Sequence, residues 1–137
     1  MPAESTLLFT NAAGQLRADP AGFLRTDWTA QPRTLADTQA LFTSMSTALH
    51  ARGWGRILVN QLTMRPFSAT EQQWVAQTWL PLAVRNGYRY GAVVVATDIY
   101  TRLATSFITT SISGLPLRYR SFDQEAEALT WLRQQPA

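Results

Sequence analysis

The sequence predicts an α/β domain in which helices pack on a mixed β-sheet. Residues 90–98 contain three consecutive valines among small residues and no charge before Asp98, which is typical of a strand buried on both faces. Thr97 and Asp98 are favourable helix N-caps, and an apolar periodic segment follows from Ile99. A buried strand that leads into a helix is the repeating unit of α/β folds.

Three short strands are predicted before the first helix. Asn11 and Gly14 supply a turn, so the first two strands can pair as a hairpin. The third strand places Leu24, Thr26 and Trp28 on one face. The predicted ranges are 6–10, 15–18 and 22–29.

Four helices alternate with three further strands. The first helix has apolar residues at spacings of three and four, with Thr34 as the expected N-cap and Gly53 after its last turn. Ser68 and Glu71 have the spacing of a capping box at the start of the second helix, in which Pro81 predicts a bend or break. The helices are predicted at 34–52, 68–87, 99–113 and after Asp123, and the strands at 56–62, 90–98 and 117–122.

The predicted order is therefore β-β-β-α-β-α-β-α-β-α. In the last strand Leu117 and Tyr119 alternate with Arg118 and Arg120, which predicts the edge of the sheet. A length of 137 residues fits one domain spanning 1–137, and we expect its ordered core at about 6–134.

Composition restricts the chemistry. The chain has no cysteine, which excludes disulfides, thiolate zinc sites and thiol catalysis. Its single histidine, His50, limits any metal cluster to one imidazole, and we expect no metal and no cofactor. No Ser-His-acid order, Gly-rich phosphate loop or paired-carboxylate spacing occurs, so we expect a protein that is not an enzyme.

The distribution of charge also excludes some partners. The net charge is +3, and the 12 basic residues, all arginine, are scattered along the chain, whereas nucleic-acid binders concentrate them on one face. No apolar run approaches the roughly 20 residues needed to span a bilayer, and the first residues lack the pattern of a signal peptide. We therefore expect a cytoplasmic protein without a membrane span.

Four segments, Asp27-Trp28, 73–81, 87–95 and 122–132, together resemble the STAS-like domains (sulfate transporter and anti-sigma-factor antagonist). The resemblance is to the small bacterial group called SpoIIAA-like, and it covers the chain from about 7 to 132. It implies an interaction or regulatory domain that binds a protein partner or itself, as a homodimer.

The resemblance also implies a phosphorylation site. In regulatory members of the family, a partner kinase phosphorylates a serine at the start of the second helix, and the matching candidates are Ser68 and Thr70. The segment 65–71 lacks the aspartate and the glycine of the family motif. Because Ser68 also has capping-box spacing to Glu71, we expect it to be a helix cap.

A second group of candidates lies where strands end. Ligands of open α/β sheets bind at the carboxyl ends of the strands, where this chain is predicted to present Asn60, Thr97, Asp98 and Arg102. Asp98 and Arg102 are four residues apart at a helix start. They can hold a small polar ligand or form a surface ion pair with each other, and we expect the ion pair.

The helix predicted at 99–113 is the third candidate, because no charge occurs between Arg102 and Arg118. A neutral face of small hydroxyl groups suits a protein partner, a second copy or a small apolar, lipid-like ligand, and it is also the ordinary surface of a charge-poor chain. An enclosed apolar cavity beside this helix would favour the ligand, and a flat exposed patch of Trp and Ser/Thr would favour the interaction. The expected inward residues are Tyr100, Leu103, Ala104, Phe107 and Ile108, and the candidate interface is Thr105, Thr109, Ser113 and Trp79.

Overall fold

The computed structural model describes residues 5–110, 112 and 114–136, which form a mixed α/β structure. The predicted α/β class with a mixed sheet is confirmed. The strands are β1 (Thr6–Thr10), β2 (Gly14–Asp19), β3 (Phe23–Trp28), β4 (Arg56–Asn60), β5 (Tyr90–Val94) and β6 (Arg118–Phe122). The helices are α1 (Leu35–Arg52), α2 (Ala69–Trp74), a π-helical turn (Val75–Trp79), α3 (Leu80–Arg85), α4 (Ile99–Thr110) and α5 (Glu125–Arg133).

The six strands stand in the sheet in the order in which they occur in the sequence. β1, β2 and β3 are antiparallel neighbours, whereas β3 to β6 are parallel. Since each parallel strand is added on the same side of the previous one, right-handed crossovers place α1, α2–α3 and α4 on one face. The larger core cluster contains side chains of these helices, and α5 covers the other face.

The uninterrupted apolar runs of β4 and β5 are explained by these two layers. Ile57 of β4 and Val93 of β5 belong to the larger cluster, whereas Leu58, Ala92 and Val94 pack under α5. Successive side chains of a strand point to opposite faces, so both faces must be apolar when both are covered.

Buried Arg56, at the start of β4, holds α5 in place. Its Nη1 lies 3.4 Å from the carbonyl oxygen of Leu132, near the end of α5, and its Nη2 lies 2.9 Å from that of Ala21. Through these two contacts the arginine links α5 to the loop before β3. Its positive charge is also favourable at the C-terminal end of a helix.

The proline in the second helical run is accommodated by the π-helical turn. Pro81 has no N–H to donate, and the N–H of Leu80 bonds to the carbonyl of Val75, five residues earlier. The extra residue rotates the following turn, so that Leu80 and Ala83 are buried and Leu82 is exposed. The predicted irregularity is therefore a π turn in a continuous helical run.

Gly91 in β5 is required by close packing. A Cβ atom at this position would lie 2.2 Å from the hydroxyl oxygen of Tyr88 and 2.6 Å from Cδ2 of Tyr119. Both tyrosines pack in the larger core cluster, so neither ring can move aside without disturbing its neighbours. The strand can therefore pass beneath the two rings only if it has no side chain here.

In the part of the chain that the structure describes, no helix combines the length and the apolar character needed to cross a membrane.

We expect Gly91→Ala to destabilise the protein by about 3 kcal/mol, because an added methyl group overpacks a filled core. The free energy of unfolding from urea titration, followed by tryptophan fluorescence, measures the effect. Adding Tyr88→Phe to this variant removes the nearest clashing atom, so the double variant should recover part of the loss. A wild-type midpoint for Gly91→Ala would contradict the packing described here.

Candidate functional site

A buried ion pair joins the segment before α1 to the start of α2. Nε of Arg33 lies 2.9 Å from Oε2 of Glu71, and Nη2 lies 3.2 Å from Oε1, a bidentate arrangement. The two side chains are only 4% and 8% exposed. Arg33 also donates to the carbonyls of Arg65 and Pro66, at 3.1 and 3.2 Å. One arginine thereby fixes the loop that leads into α2.

Glu71 is at the same time part of the cap of α2. The N–H of Ser68 donates to Oε1 of Glu71 at 2.8 Å, and the N–H of Glu71 donates to Oγ of Ser68 at 3.1 Å. The hydroxyl of Thr38 also donates to the carboxylate. Burial by itself raises the pKa of Glu71, but the hydrogen bonds from Arg33, Thr38 and Ser68 outweigh it, and the pKa is lowered from its usual 4.5. The expected capping by Ser68 is confirmed.

The Arg33 guanidinium also lies against aromatic rings. Its central carbon is 5.4 Å from the ring centre of Trp28 and 5.5 Å from that of Phe67, and the two rings meet edge to face. The ion pair therefore lies directly on the aromatic part of the core. The sequence signal for Glu71 was its capping-box position, but no local pattern indicated Arg33.

Two of the remaining candidates, Asn60 and Asp98, form hydrogen bonds within the local structure, and the others are exposed. Oδ1 of Asn60 accepts from the N–H of Leu62 at 3.0 Å, which forms a turn. Oδ2 of Asp98 accepts from both the N–H and the hydroxyl of Thr101, each at 2.9 Å, so Asp98 is the N-cap of α4. Thr70, Thr97 and Arg102 are exposed at the surface.

The expected ion pair between Asp98 and Arg102 is not formed. Among the described residues the ion pairs are Arg25–Glu125 and Arg33–Glu71. The physical reason is that the Asp98 carboxylate is directed at the first turn of α4, where it bonds to Thr101.

The face that α4 turns to the core differs from the prediction. Ala104 and Ile108 are buried as expected, but Tyr100, Leu103 and Phe107 are exposed. The three wrong assignments have a common cause: the helix has apolar side chains on two faces, and periodicity alone does not say which one the sheet covers.

Thr105 lies in the core, so its predicted place on an exposed interface is wrong. It is 4% exposed, and its hydroxyl donates to Oε1 of buried Gln61 at 2.9 Å. Thr101 is buried beside it, with its hydroxyl 3.3 Å from the carbonyl oxygen of Met64. Because these partners satisfy the hydroxyl groups, two small polar side chains can face the core.

Trp79 is also buried, and its predicted surface role is wrong. Its Nε1 donates to the carbonyl of Phe42 at 2.6 Å, and its ring centre is 4.6 Å from that of Phe42. Thr109 is half-buried beside the start of a groove that reaches β6. Ser113, the remaining interface candidate, lies outside the described residues.

The exposed side of α4 forms an apolar surface, which we call the outer face (Ile99, Tyr100, Leu103 and Phe107). The first three side chains are 64%, 72% and 62% exposed, and the fourth is 49% exposed. With about 100° of rotation per residue, they lie on one arc of the helix, and Arg102 borders that arc, about 60° from Ile99. A helical wheel drawn from the sequence shows two apolar arcs on this helix, the buried one and the outer face. Assigning all the apolar residues to one buried stripe hides the second arc.

Beneath α4 lies a cavity of about 30 Å³, which has room for about two water molecules. Polar groups at its wall come from Gln61, Thr105 and Trp28, and Nε1 of Trp28 has no hydrogen-bond partner among the described residues. Burial raises the pKa of both Tyr88 and Tyr119, so these phenols at the cavity stay neutral. The apolar part of the wall is formed by Phe42, Met45, Ile57, Val59, Phe67, Val75, Trp79, Leu80, Ile108 and Ile112.

Comparison with known proteins adds no identification. No protein-family model matches the chain, and no curated protein matches it. Within the described ranges, no three His, Asp or Glu side chains come together as metal ligands. The STAS-like resemblance therefore stays a prediction from the sequence motifs.

We expect Glu71→Gln to destabilise the protein by about 3 kcal/mol at pH 7, because it leaves the buried Arg33 without its counter-charge. A lowered pKa in the folded state means that the carboxylate stabilises the fold fully above its usual pKa of 4.5. This contribution is lost as the pH falls through the lower folded value, so the difference between wild type and variant should shrink below about pH 4.5.

Urea titrations from pH 7 to pH 3 measure this dependence. Glu127→Gln is the matched control, because Glu127 is exposed and the same charge is removed there. A difference between wild type and Glu71→Gln that stays constant over this range would contradict the role given to the Glu71 carboxylate.

Proposed function

We propose that the chain is a non-enzymatic interaction domain of the STAS-like type, and that it forms a homodimer through the outer face of α4. The observation that supports this proposal best is the exposure of Ile99, Tyr100 and Leu103 side by side on one helix. Contiguous apolar patches of this kind on soluble proteins usually mark contact surfaces.

The chemistry of the outer face favours a protein over a membrane. Arg102 is the only charged residue within α4, and it stands alone at the border of the apolar arc. Helices that bind membrane surfaces are rich in Lys and Arg beside their apolar face. An aromatic, charge-poor centre is instead typical of homodimer interfaces, in which the same patch of each subunit meets its copy.

The candidate polar side chains are engaged in structural bonds, which favours a non-enzymatic role. Ser68 and Asp98 cap helices, Asn60 closes a turn, and Glu71 is paired with Arg33. Each of these groups stabilises the fold through bonds to its own neighbours. A regulatory phosphate on Ser68 would have to replace the hydrogen bond that caps α2. The structure therefore supports a dimer surface better than a phosphorylation site at Ser68.

We expect wild type to have the mass of a dimer in native mass spectrometry, and Leu103→Ser to have the mass of a monomer. Leu103 is largely exposed, so its replacement should leave the fold intact, as circular dichroism will verify. Leu7→Ser is the matched control, because Leu7 is 46% exposed on β1, at the opposite edge of the sheet. A monomeric wild type, or equal dissociation of both variants, would refute the proposed interface.

A second candidate function is the binding of a small apolar, lipid-like ligand beneath α4. The cavity there supports it, because aromatic side chains surround the cavity and Trp28 offers a hydrogen-bond donor without a partner. At about 30 Å³ the space is too small for a lipid chain, so binding requires α4 to move outward. The movement must break the hydrogen bonds of Thr101 and Thr105, but the small side chains on this face expose little apolar surface when they leave the core.

We expect decanoic acid, if this second candidate is right, to change the tryptophan fluorescence in a saturable way, because Trp28 and Trp79 line the cavity. Ile108→Phe fills the space and should weaken binding about tenfold, by steric overlap of about 1.4 kcal/mol. Ser106→Phe adds the same ring at an exposed position of α4 and should bind like wild type. Equal affinity of all three proteins would exclude the cavity as the site.

A further inference from the structure

The outer edge of β6 is open in the described sheet. β6 pairs only with β5, through bonds that include the N–H of Arg118 to the carbonyl of Arg89 and the N–H of Val95 to the carbonyl of Phe122, each at 2.9 Å. Alternate residues of a strand direct their N–H and C=O groups to opposite edges. Tyr119 and Ser121 therefore present theirs outward, where a further strand can pair.

One face of this edge is cationic and aromatic. Arg118 and Arg120 are exposed on the face that α5 covers, and the Arg120 guanidinium carbon is 5.3 Å from the ring centre of Phe122. The Phe122 ring in turn contacts Trp131 of α5, at 5.9 Å between centres. A groove between β6 and α5 runs along Arg120, Phe122 and Trp131.

The other face of the edge carries no charge and combines apolar with hydroxyl side chains. Leu117 and Tyr119 point to the side of α4, and a second groove extends from them past Ile112 to Thr109. A strand that paired with β6 would therefore have its side chains alternately over this uncharged groove and beside two arginines. The edge distinguishes the two faces of an incoming strand.

We propose that the β6 edge binds an extended segment of a partner protein in which acidic and uncharged residues alternate. The segment's main chain pairs with Tyr119 and Ser121, its acidic side chains lie opposite Arg118 and Arg120, and its uncharged side chains lie over the groove beside Tyr119. This surface is separate from the outer face of α4, so the inference goes beyond homodimer formation and does not depend on it.

The charges of the edge favour a different protein over a second copy. An antiparallel copy centred on Arg120 would place the two Arg120 side chains opposite each other, and like charges in that position are destabilising. Asp123 and Glu127 line the far end of the groove beside α5, so acidic residues are favoured only opposite the two arginines.

A capped hexapeptide of alternating glutamate and valine is the probe, titrated into the full chain by isothermal calorimetry. A peptide of alternating lysine and valine should bind more weakly. The double variant Arg118→Glu and Arg120→Glu should weaken binding of the glutamate peptide at least about tenfold, as expected when two cross-strand pairs become repulsive. The control variant Arg85→Glu and Arg102→Glu makes the same charge change at exposed sites outside the edge and should bind like wild type.

Two further measurements separate strand pairing from attraction between charges alone. A glutamate–valine peptide with N-methylated valines keeps the side chains but lacks main-chain donors, and it should lose binding. Amide hydrogen exchange of Tyr119 and Ser121 should slow when the unmodified peptide binds. No binding by wild type, equal binding of the N-methylated peptide, or unchanged exchange would overturn the proposal, and the arginines would then serve only to prevent non-specific pairing of the edge.

Discussion

The bidentate pair between Arg33 and Glu71 is the constraint on which one end of the molecule depends. It connects the chain just before α1 with the first turn of α2, two segments that follow different strands. The same guanidinium lies against Trp28 and Phe67, so the ion pair and the aromatic core hold each other in place. Because both charged side chains are buried, either one without the other would be strongly destabilising. The position of the start of α2, and with it that of Phe67 at the cavity wall, follows from this contact.

Much of the fold could be predicted from the sequence because it depends on local patterns. Three local patterns each predict which side chains are buried: the alternation in β3, the single apolar stripe of α1 and the valine run of β5. The structure buries Leu24, Leu41 and Val93 accordingly. The caps at Ser68 and Asp98 were also predictable, since a capping side chain bonds to an N–H three residues away.

The candidate site could not be predicted to the same extent, because its residues meet across long separations. Arg33 and Glu71 are 38 residues apart, and Thr105 finds its partner Gln61 at a separation of 44. A threonine can face the core only if such a partner is present, and no window of sequence contains both. For α4, which has two apolar arcs, the hydrogen bonds of Thr101 and Thr105 determine the buried face, and the larger side chains remain outside.

The consecutive strand order has a consequence for how the chain folds during synthesis. Each strand pairs with its neighbours in sequence, so a strand that leaves the ribosome finds its earlier partner already present. The larger face of the sheet can be covered step by step as α1, α2–α3 and α4 follow. The opposite face, with Leu58 and Ala92, has to wait for α5 at the end of the chain. A nascent chain that stops before α5 therefore exposes one apolar side of a complete sheet, and this is the stage at which it is most vulnerable to aggregation.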